Sequence, residues 1–238
     1  MSILEFRNVS FQYAEDQKMI LRDVSLTMDS GKTYALVGPT GEGKSTTASL
    51  ISRLYEPTSG QILLRDKDLR EWDALELYWE VGFILQEPYL YSGTVLDNII
   101  YGNPDYKQFS SIFSQSEEES IDYSQFEQVL KQKNLFSLVS NFSEGLSTMV
   151  TNNSENISLG QKQIINFMRV ILRDPSFLIL DEATANLDTV TEQSLQVILD
   201  ELPASTTKLI IAHRLNTIKV ADQVFMVGGG KVQIESSW

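Results

Sequence analysis

The chain has 238 residues, enough for one large domain or two small ones with an ordinary core. Its 42% hydrophobic and 21% charged residues are typical of a soluble globular protein, and its longest apolar runs are far too short to cross a bilayer. The net charge of −13 disfavours broad binding to nucleic acids or anionic membranes, and the lack of cysteine excludes disulfides and thiolate metal sites. Any phosphate ligand must therefore be held locally, by backbone amides and a few cations.

The first part of the chain predicts two antiparallel strands, then a third strand and a helix. Apolar side chains alternate with polar ones in two N-terminal runs, at Val9, Phe11 and Tyr13 and then at Val24, Leu26 and Met28. The run TYALVG (33–38) predicts a short apolar strand that ends in glycine. A helical pattern follows from Lys44 to Leu54, and Pro57 stops it.

The rest of the chain alternates strands and helices around a long helical stretch. Strands are predicted at GQILLRD (60–66) and VGFIL (81–85), with a helix near 72–79 between them. The pattern is mainly helical from about 94 to 172, and its serine-rich, acidic segment 106–126 predicts a solvated loop or mobile insertion. Strands return at SFLIL (176–180), KLIIA (208–212) and QVFMV (223–227). This order predicts a parallel α/β sheet.

The run GPTGEGKST (38–46) fits the phosphate-loop pattern G-x-x-x-x-G-K-[ST] between a strand and a helix. Its glycines permit tight turns that aim backbone N–H groups at phosphate oxygens, and the helix N-terminus adds its positive dipole end. Lys44 is predicted to reach the β- and γ-phosphates, and Ser45 to ligate Mg²⁺. A chance glycine-rich turn is the alternative, but this context makes a chance match rare. The predicted nucleotide-binding residues are Gly38, Pro39, Thr40, Gly41, Glu42, Gly43, Lys44, Ser45 and Thr46.

A second candidate motif is FLILDE (177–182), which brings two carboxylates to the end of a buried strand. A bare carboxylate is costly there, and a bound Mg²⁺ beside Asp181 removes that cost. Glu182 faces away from Asp181 by strand alternation and is a candidate to polarise an attacking water. The motif alone also fits an exposed strand end. Together with the phosphate loop it favours a hydrolase or an ATP-driven switch.

Three further stretches resemble motifs of the ATP-binding-cassette (ABC) family. ENISLGQKQ (155–163) resembles its signature, VGFILQEPYLYSGTVLDNI (81–99) its glutamine loop, and IAHRL (211–215) its histidine switch. Tyr13 stands at the position of the aromatic residue that stacks on adenine. The resemblance spans nearly the whole chain, and YSGTVLDNI is most similar to the exporter branch, which moves drugs, lipids or peptides.

The resemblance implies a set of catalytic residues, namely Lys44, Gln86, Glu182 and His213. It makes Gln86 a sensor of Mg²⁺ and the attacking water, so that the implied metal ligands are Ser45, Gln86 and Asp181. It makes His213 the residue that reports the γ-phosphate. Taken alone, a single histidine is more often an ordinary core or surface residue.

The resemblance also implies that Ser158, Gly160 and Gln161 bind the γ-phosphate of ATP held by a second cassette. The presence of Ser158 and Gln161 also has a sufficient structural explanation, since S-x-x-Q is a capping box for the predicted helix from 161 to 172. Both roles are compatible, because one hydroxyl can donate and accept. Tyr13 likewise has a structural alternative as the end of an alternating strand.

As a whole, the resemblance implies an α/β fold of the P-loop NTPase (RecA-like) type. It consists of a parallel sheet core with an N-terminal antiparallel β-subdomain and an inserted α-helical subdomain. The core corresponds to residues 1–86 and 173–238, and the helical subdomain to 87–172, which includes the acidic insertion near 104–126. The implied cofactors are ATP and Mg²⁺.

The implied partners are a second nucleotide-binding domain, joined in an ATP-dependent homo- or heterodimer, and the transmembrane domains of an exporter. The implied location is the cytoplasmic face of the cell membrane, and no nucleic-acid partner is expected. Leu159 stands where the family usually has glycine, or often glutamine in exporters, and 148–156 departs from T-x-V-G-E-x-G. In asymmetric exporters the chain with the intact catalytic glutamate often carries the weaker signature, so the resemblance is also compatible with a heterodimeric transporter. The alternatives are a soluble ABC ATPase of DNA repair or translation, and a regulatory cassette with little turnover.

Overall fold

The computed structural model describes residues 1–14, 18–85, 88–109, 123–151, 154–181, 188–211 and 219–235. The chain divides into two compact units. The first comprises Met1–Phe83, Pro175–Glu182 and Pro203–Trp238, and the second comprises Ile84–Asp174 and Ala183–Leu202. No helix within these described ranges is both long and apolar enough to span a membrane.

The secondary structure alternates between strands and helices. The strands are β1 (Ser2–Phe11), β2 (Leu21–Asp29), β3 (Thr33–Val37), β4 (Ser59–Leu64), β5 (Lys67–Asp68), β6 (Val81–Ile84), β7 (Gly93–Thr94), β8 (Met149–Val150), β9 (Phe177–Asp181), β10 (Thr207–Ile211), β11 (Gln223–Gly228) and β12 (Lys231–Glu235). The α-helices are α1 (Lys44–Ile51), α2 (Ala74–Glu80), α3 (Val95–Ile100), α4 (Tyr123–Gln132), α5 (Leu159–Ile171) and α6 (Thr189–Asp200). Short 3₁₀ helices occupy Leu69–Glu71, Pro104–Phe109, Phe136–Asn141 and Gly145–Ser147.

The N-terminal strands form an antiparallel sheet in the order β2-β1-β4-β5, which confirms the predicted β1–β2 pairing. Phe6 lies opposite both Leu26 and Ile62, and all three side chains are buried on the core face. Strand β1 ends at Phe11, so the prediction that Tyr13 continues its alternation is wrong. The helix predicted to reach Leu54 ends at Ile51, because Arg53 adopts a left-handed backbone (φ 52°) that α-helices do not continue through.

The second sheet has the order β12-β11-β3-β10-β9-β6, and its central pairs β11–β3, β3–β10 and β10–β9 are parallel. Its middle strands are nearly continuous apolar runs, as expected for strands covered on both faces. The four residues from Tyr34 to Val37 are all buried, and so are the four from Phe177 to Leu180. The predicted parallel α/β core is therefore confirmed. Strand β12, which pairs antiparallel with β11, was not predicted from the sequence.

The second unit is mainly helical, as predicted. It also contains one short antiparallel strand pair, β7–β8, which the sequence did not predict. The prediction of a solvated loop over 106–126 is wrong at both described ends, which are helical. The reason is an aromatic cluster: Phe126 is fully buried, and its ring centroid lies 5.4 Å from that of Tyr106 and 5.5 Å from that of Phe109. Residues 110–122 lie outside the described residues.

Candidate functional site

The phosphate loop leaves the parallel sheet at a point where only glycine fits. Gly38 follows the last residue of β3 and has φ +150°, a backbone conformation that L side chains rarely adopt. A Cβ on Gly38 would lie 2.1 Å from the carbonyl oxygen of Val227 in β11. The loop therefore starts directly against the backbone of a neighbouring strand, and the first glycine of the motif is required by that contact.

The loop ends at the start of α1, where it forms a positively charged cradle. Lys44 is the first residue of α1 and is only 5% exposed. Its ammonium nitrogen donates to the carbonyl oxygens of Gly38 (2.8 Å) and Pro39 (3.0 Å), which holds the charge inside the loop. The N-cap is Gly43, so no side chain caps the first amides of the helix. Helix amides and a lysine ammonium converging on one loop form an anion-binding arrangement.

Strand register brings Asp181 to the same edge of the sheet as the phosphate loop. Ile211 at the end of β10 lies opposite Leu36 in β3 on one side and opposite Asp181 in β9 on the other. Leu36 and Asp181 are thus two strand spacings apart, about 10 Å. The carboxyl ends of β3, β10 and β9 meet at one edge, where ligands bind in open parallel sheets.

The described residues provide hard oxygen ligands for a magnesium ion at this edge. Ser45 is exposed in the first turn of α1, and Asp181 is half-buried at the end of β9. Within the described ranges no group of three or more His, Cys, Asp or Glu side chains forms a metal cluster. Magnesium rarely needs one, since it is held by one or two protein oxygens, substrate phosphates and water. Ser45 and Asp181 therefore fit Mg²⁺ in a phosphate complex.

Tyr13 lies beside helix α1, although it is outside strand β1. Its hydroxyl oxygen is 2.9 Å from the hydroxyl oxygen of Thr46 in α1. Its ring makes edge-to-face contacts with Phe11 (centroids 4.9 Å apart) and Tyr55 (5.2 Å apart). The structure thus places this half-buried aromatic next to the loop, with its orientation set by a hydrogen bond and two rings.

A surface cleft of about 280 Å³ adjoins the phosphate loop. One wall is the loop itself at Gly41 and Glu42. Another wall is formed by residues from the 18–22 segment, which includes the cationic side chains Lys18 and Arg22. The third wall is the turn between β11 and β12, whose Gly229 N–H donates to a carboxylate oxygen of Glu42 at 2.7 Å. Sequence reasoning missed this turn, although Gly-Gly between two strands is a known hairpin signal.

In the second unit, the residues that resemble the ABC signature form the predicted capping box. Ser158 is the N-cap of α5, and its hydroxyl accepts from the backbone N–H of Gln161 at 3.1 Å. The side-chain oxygen of Gln161 accepts from the Ser158 N–H at 2.9 Å, and its nitrogen donates to the carbonyl of Asn141 at 2.7 Å. Helix α5 begins at Leu159, two residues before the predicted start, because an N-cap at 158 defines 159 as its first residue.

The stretch YSGTVLDNI also has a structural basis in the second unit. Thr94 and Asp97 form a buried capping box at the start of α3. Asn98 accepts from the Tyr91 N–H and donates to the Tyr91 and Thr94 carbonyls, which fixes the preceding loop. The pKa of the Tyr91 hydroxyl is raised, mainly by a hydrogen bond with Tyr101 and to a smaller extent by burial. These polar residues are therefore engaged in holding the fold of this segment.

Three of the predicted catalytic residues, Gln86, Glu182 and His213, lie outside the described residues. The phosphate loop from Gly38 to Thr46, Tyr13 and Asp181 all belong to the first unit. Ser158, Gly160 and Gln161 belong to the second.

Comparisons with known proteins show the family of the chain. A family model described as ABC transporter matches residues 21–185. An uncharacterized ABC transporter ATP-binding protein of Bacillus subtilis is 41% identical over 96% of the chain, and an ATP-dependent lipid A-core flippase of Pectobacterium atrosepticum is 39% identical over 96%. The solved structure of a bacterial Atm1-family ABC exporter with ATP bound superposes with a TM-score of 0.80 and 29% identity over 98% of this chain.

The chain spans only about a third of the length of these relatives. It covers 35% of the Bacillus protein, 37% of the flippase and 38% of the exporter chain. The similarity therefore concerns one part of each relative, and it covers nearly all of this chain.

Proposed function

Because this chain belongs to the ABC transporter family, we propose that it is a nucleotide-binding cassette. It binds MgATP, forms a dimer around it with a second cassette and hydrolyses it to drive export through membrane-domain partners. We assign residues 1–86 and 173–238 to its ATP-binding core and 87–172 to the helical subdomain with the signature; these bounds differ from those of the two compact units, the second of which includes Ala183–Leu202. The proposed location is the cytoplasmic face of a cell membrane.

The observation that carries the proposal is the cradle between β3 and α1. Backbone amides at the start of α1 and the ammonium of Lys44 supply positive charge within one loop, in a chain of net charge −13. A triphosphate is the ligand class that matches this charge and shape. Tyr13, beside Thr46, is positioned to receive the base of the nucleotide, as aromatic side chains do in other nucleotide sites.

Among the described residues, Ser45 and Asp181 are the proposed ligands of the metal. Gln86 is a third proposed ligand. When bound there, Mg²⁺ would supply positive charge that offsets the negative charge of the phosphate oxygens. Asp181 holds a carboxylate at the sheet edge beside the loop. Lys44 stays directed into the loop and binds the phosphates.

The hydrolytic step is assigned to Glu182 and His213. Glu182 follows Asp181 in sequence and accepts the proton of the attacking water. His213 follows the end of β10 by two residues and donates to the γ-phosphate, which couples the presence of that group to the position of the water.

The signature supplies the second half of the site from the partner cassette. Ser158 caps α5 with one lone pair, and its hydroxyl hydrogen remains able to donate to a phosphate oxygen. The amides of the first turn of α5, which includes Gly160, add a helix N-terminus directed at the anion. Leu159, at the glycine position of the family, favours a heterodimer whose two sites differ.

Export is supported by the names of the relatives. One is a putative multidrug export ATP-binding/permease protein of Bacillus subtilis, 41% identical over 96% of the chain, and others are lipid A-core flippases. This chain covers 37% of the first of these proteins. The membrane domains proposed as partners correspond to the remainder of such relatives.

The proposal is tested by ATP binding to Lys44→Ala, measured by isothermal titration calorimetry with Mg²⁺. Loss of charged hydrogen bonds to phosphate predicts an affinity about 10–100-fold lower. Lys32→Ala is the matched control, because Lys32 makes an exposed ion pair with Asp29 at 2.7 Å and its loss should leave the affinity unchanged. Equal ATP affinity in the parent and Lys44→Ala would overturn the assignment of the phosphate loop.

A further inference from the structure

The turn between β11 and β12 contacts the phosphate loop through a charged side chain. Gly228 lies opposite Lys231, so Gly229 and Gly230 form a two-residue hairpin loop. Both have positive φ, +60° and +80°, as the favoured two-residue hairpin turn requires. The N–H of Gly229 is outside the strand ladder, and it donates to the Glu42 carboxylate at 2.7 Å. Residue 229 and residue 42 are thereby joined across 187 positions of sequence.

The same turn is bonded to the opposite wall of the cleft. The backbone N–H of Arg22 donates to the carbonyl of Gly230 at 2.7 Å. A Cβ on Gly230 would lie 3.1 Å from the Cγ atom of Arg22, so the two segments are in close contact. The turn therefore ties the phosphate loop on one side and the start of β2 on the other.

Glu42 is a negative side chain within a loop whose proposed ligand is also negative. It directly precedes Gly43, the N-cap of α1, so its backbone belongs to the part of the loop nearest the helix amides. The negative charges of the Glu42 carboxylate and of a triphosphate in the same loop would repel each other. The chain as a whole is already acidic. The hydrogen bond to Gly229 directs the carboxylate toward the hairpin turn.

We propose that Glu42 is a positioning residue, which fixes the phosphate loop to the β11–β12 turn and holds its own charge away from the triphosphate. Its effect on nucleotide affinity rests on the proposed function, whereas the fixation itself exists without nucleotide. The side chain of Glu42 is thus bound to the turn, while its backbone remains part of the loop. Charge and fixation are separable, because different substitutions remove one or the other.

Three variants separate the two contributions. Glu42→Gln keeps an oxygen that accepts from Gly229 and removes the charge. Glu42→Ala removes both, and Glu42→Asp keeps the charge on a side chain one methylene shorter, which weakens or breaks its bond to the turn. Glu71→Gln is the matched control, since Glu71 is an exposed carboxylate in the 3₁₀ turn Leu69–Glu71, away from the loop in sequence.

The first measurement is hydrogen exchange of the Gly229 amide by NMR, in the protein without nucleotide. A lost hydrogen bond worth a typical net amount predicts exchange about three- to tenfold faster in Glu42→Ala and Glu42→Asp than in the parent. Glu42→Gln and Glu71→Gln should exchange at the parent rate. Equal Gly229 exchange in the parent and both shortened variants would overturn the proposal, whether or not the protein binds ATP.

The second measurement is ATP affinity at low salt and in about 1 M salt, where the Debye length is only about 3 Å. At low salt we expect Glu42→Gln to bind most tightly and Glu42→Asp most weakly. In high salt the charge effect fades, and Glu42→Ala should still bind about three- to tenfold more weakly than Glu42→Gln. Equal affinities for these two variants in high salt would overturn the positioning role. Failure of Lys44→Ala to weaken ATP binding would instead count against the proposed function.

Discussion

Replacing Gly38 with alanine tests whether the close approach between the phosphate loop and β11 is required. The new Cβ would lie 2.1 Å from the Val227 carbonyl oxygen, far inside the 3.4 Å at which ordinary contact begins. Holding a non-glycine residue near φ +150° costs about 1–3 kcal/mol, and overpacking adds about 1–3 kcal/mol. We therefore expect Gly38→Ala to lower the free energy of unfolding by about 2–6 kcal/mol.

The assay is urea denaturation followed by circular dichroism, together with ATP titration of the folded variant. A domain of ordinary stability, about 5–15 kcal/mol, survives this loss, so binding remains measurable. We expect the ATP affinity to fall as well, because Gly38 also supplies a carbonyl that orients Lys44.

Gly228→Ala is the matched control, because a Cβ there meets no atom of the described residues within 4 Å and the residue has no positive φ. Its stability should change little or rise by about 0.4–1 kcal/mol. A Gly38→Ala variant as stable as Gly228→Ala, with parental ATP affinity, would refute the reasoning from the Val227 contact.

Further predictions concern catalysis, the signature and the loop before it. Glu182→Gln should retain ATP binding but stop hydrolysis, since an amide cannot take the proton of the water, and light scattering should then detect an ATP-dependent dimer. His213→Ala should lower turnover by about 100-fold or more with a much smaller change in ATP affinity, and parental turnover would return His213 to a packing role. Ser158→Ala should cost about 1 kcal/mol of stability through loss of the α5 cap, and a Ser158→Thr variant should recover most of it in denaturant titrations. Ser154→Gly should stabilise the protein by about 1 kcal/mol, because buried Ser154 is held at φ +52°, and an unchanged urea midpoint would contradict this.

Much of the site could be predicted from the sequence, because its motifs are local. The phosphate-loop pattern needs only a strand before it and a helix after it, and β3 and α1 fulfil both conditions. The capping box of Ser158 and Gln161 spans four residues, so its spacing alone specifies the two hydrogen bonds that the structure contains. The roles of Gln86, Glu182 and His213 remain predictions.

Other local patterns gave wrong predictions of secondary structure, because contacts with residues elsewhere in the chain outweigh the local preference. The serine-rich, acidic composition of 106–126 predicts a loop, yet burial of Phe126 against Tyr106 and Phe109 stabilises helix at both described ends. Tyr13 continues the alternation of β1 in sequence. In the structure it follows the end of the strand and meets Thr46, 33 positions away.

The sequence by itself indicated which loop is the candidate for binding phosphate, because glycines and a lysine at fixed spacing act on their immediate neighbours. Only the tertiary structure decided why Gly38 is required, since the Val227 carbonyl that excludes a side chain comes from a different strand. It also decided that Asp181 shares an edge with the loop, through the register of Ile211 against both neighbours, and that Glu42 bonds to Gly229. Strand pairing and hairpin contacts join residues far apart in the chain, and their geometry is fixed by the packing of the whole sheet, which no local spacing records.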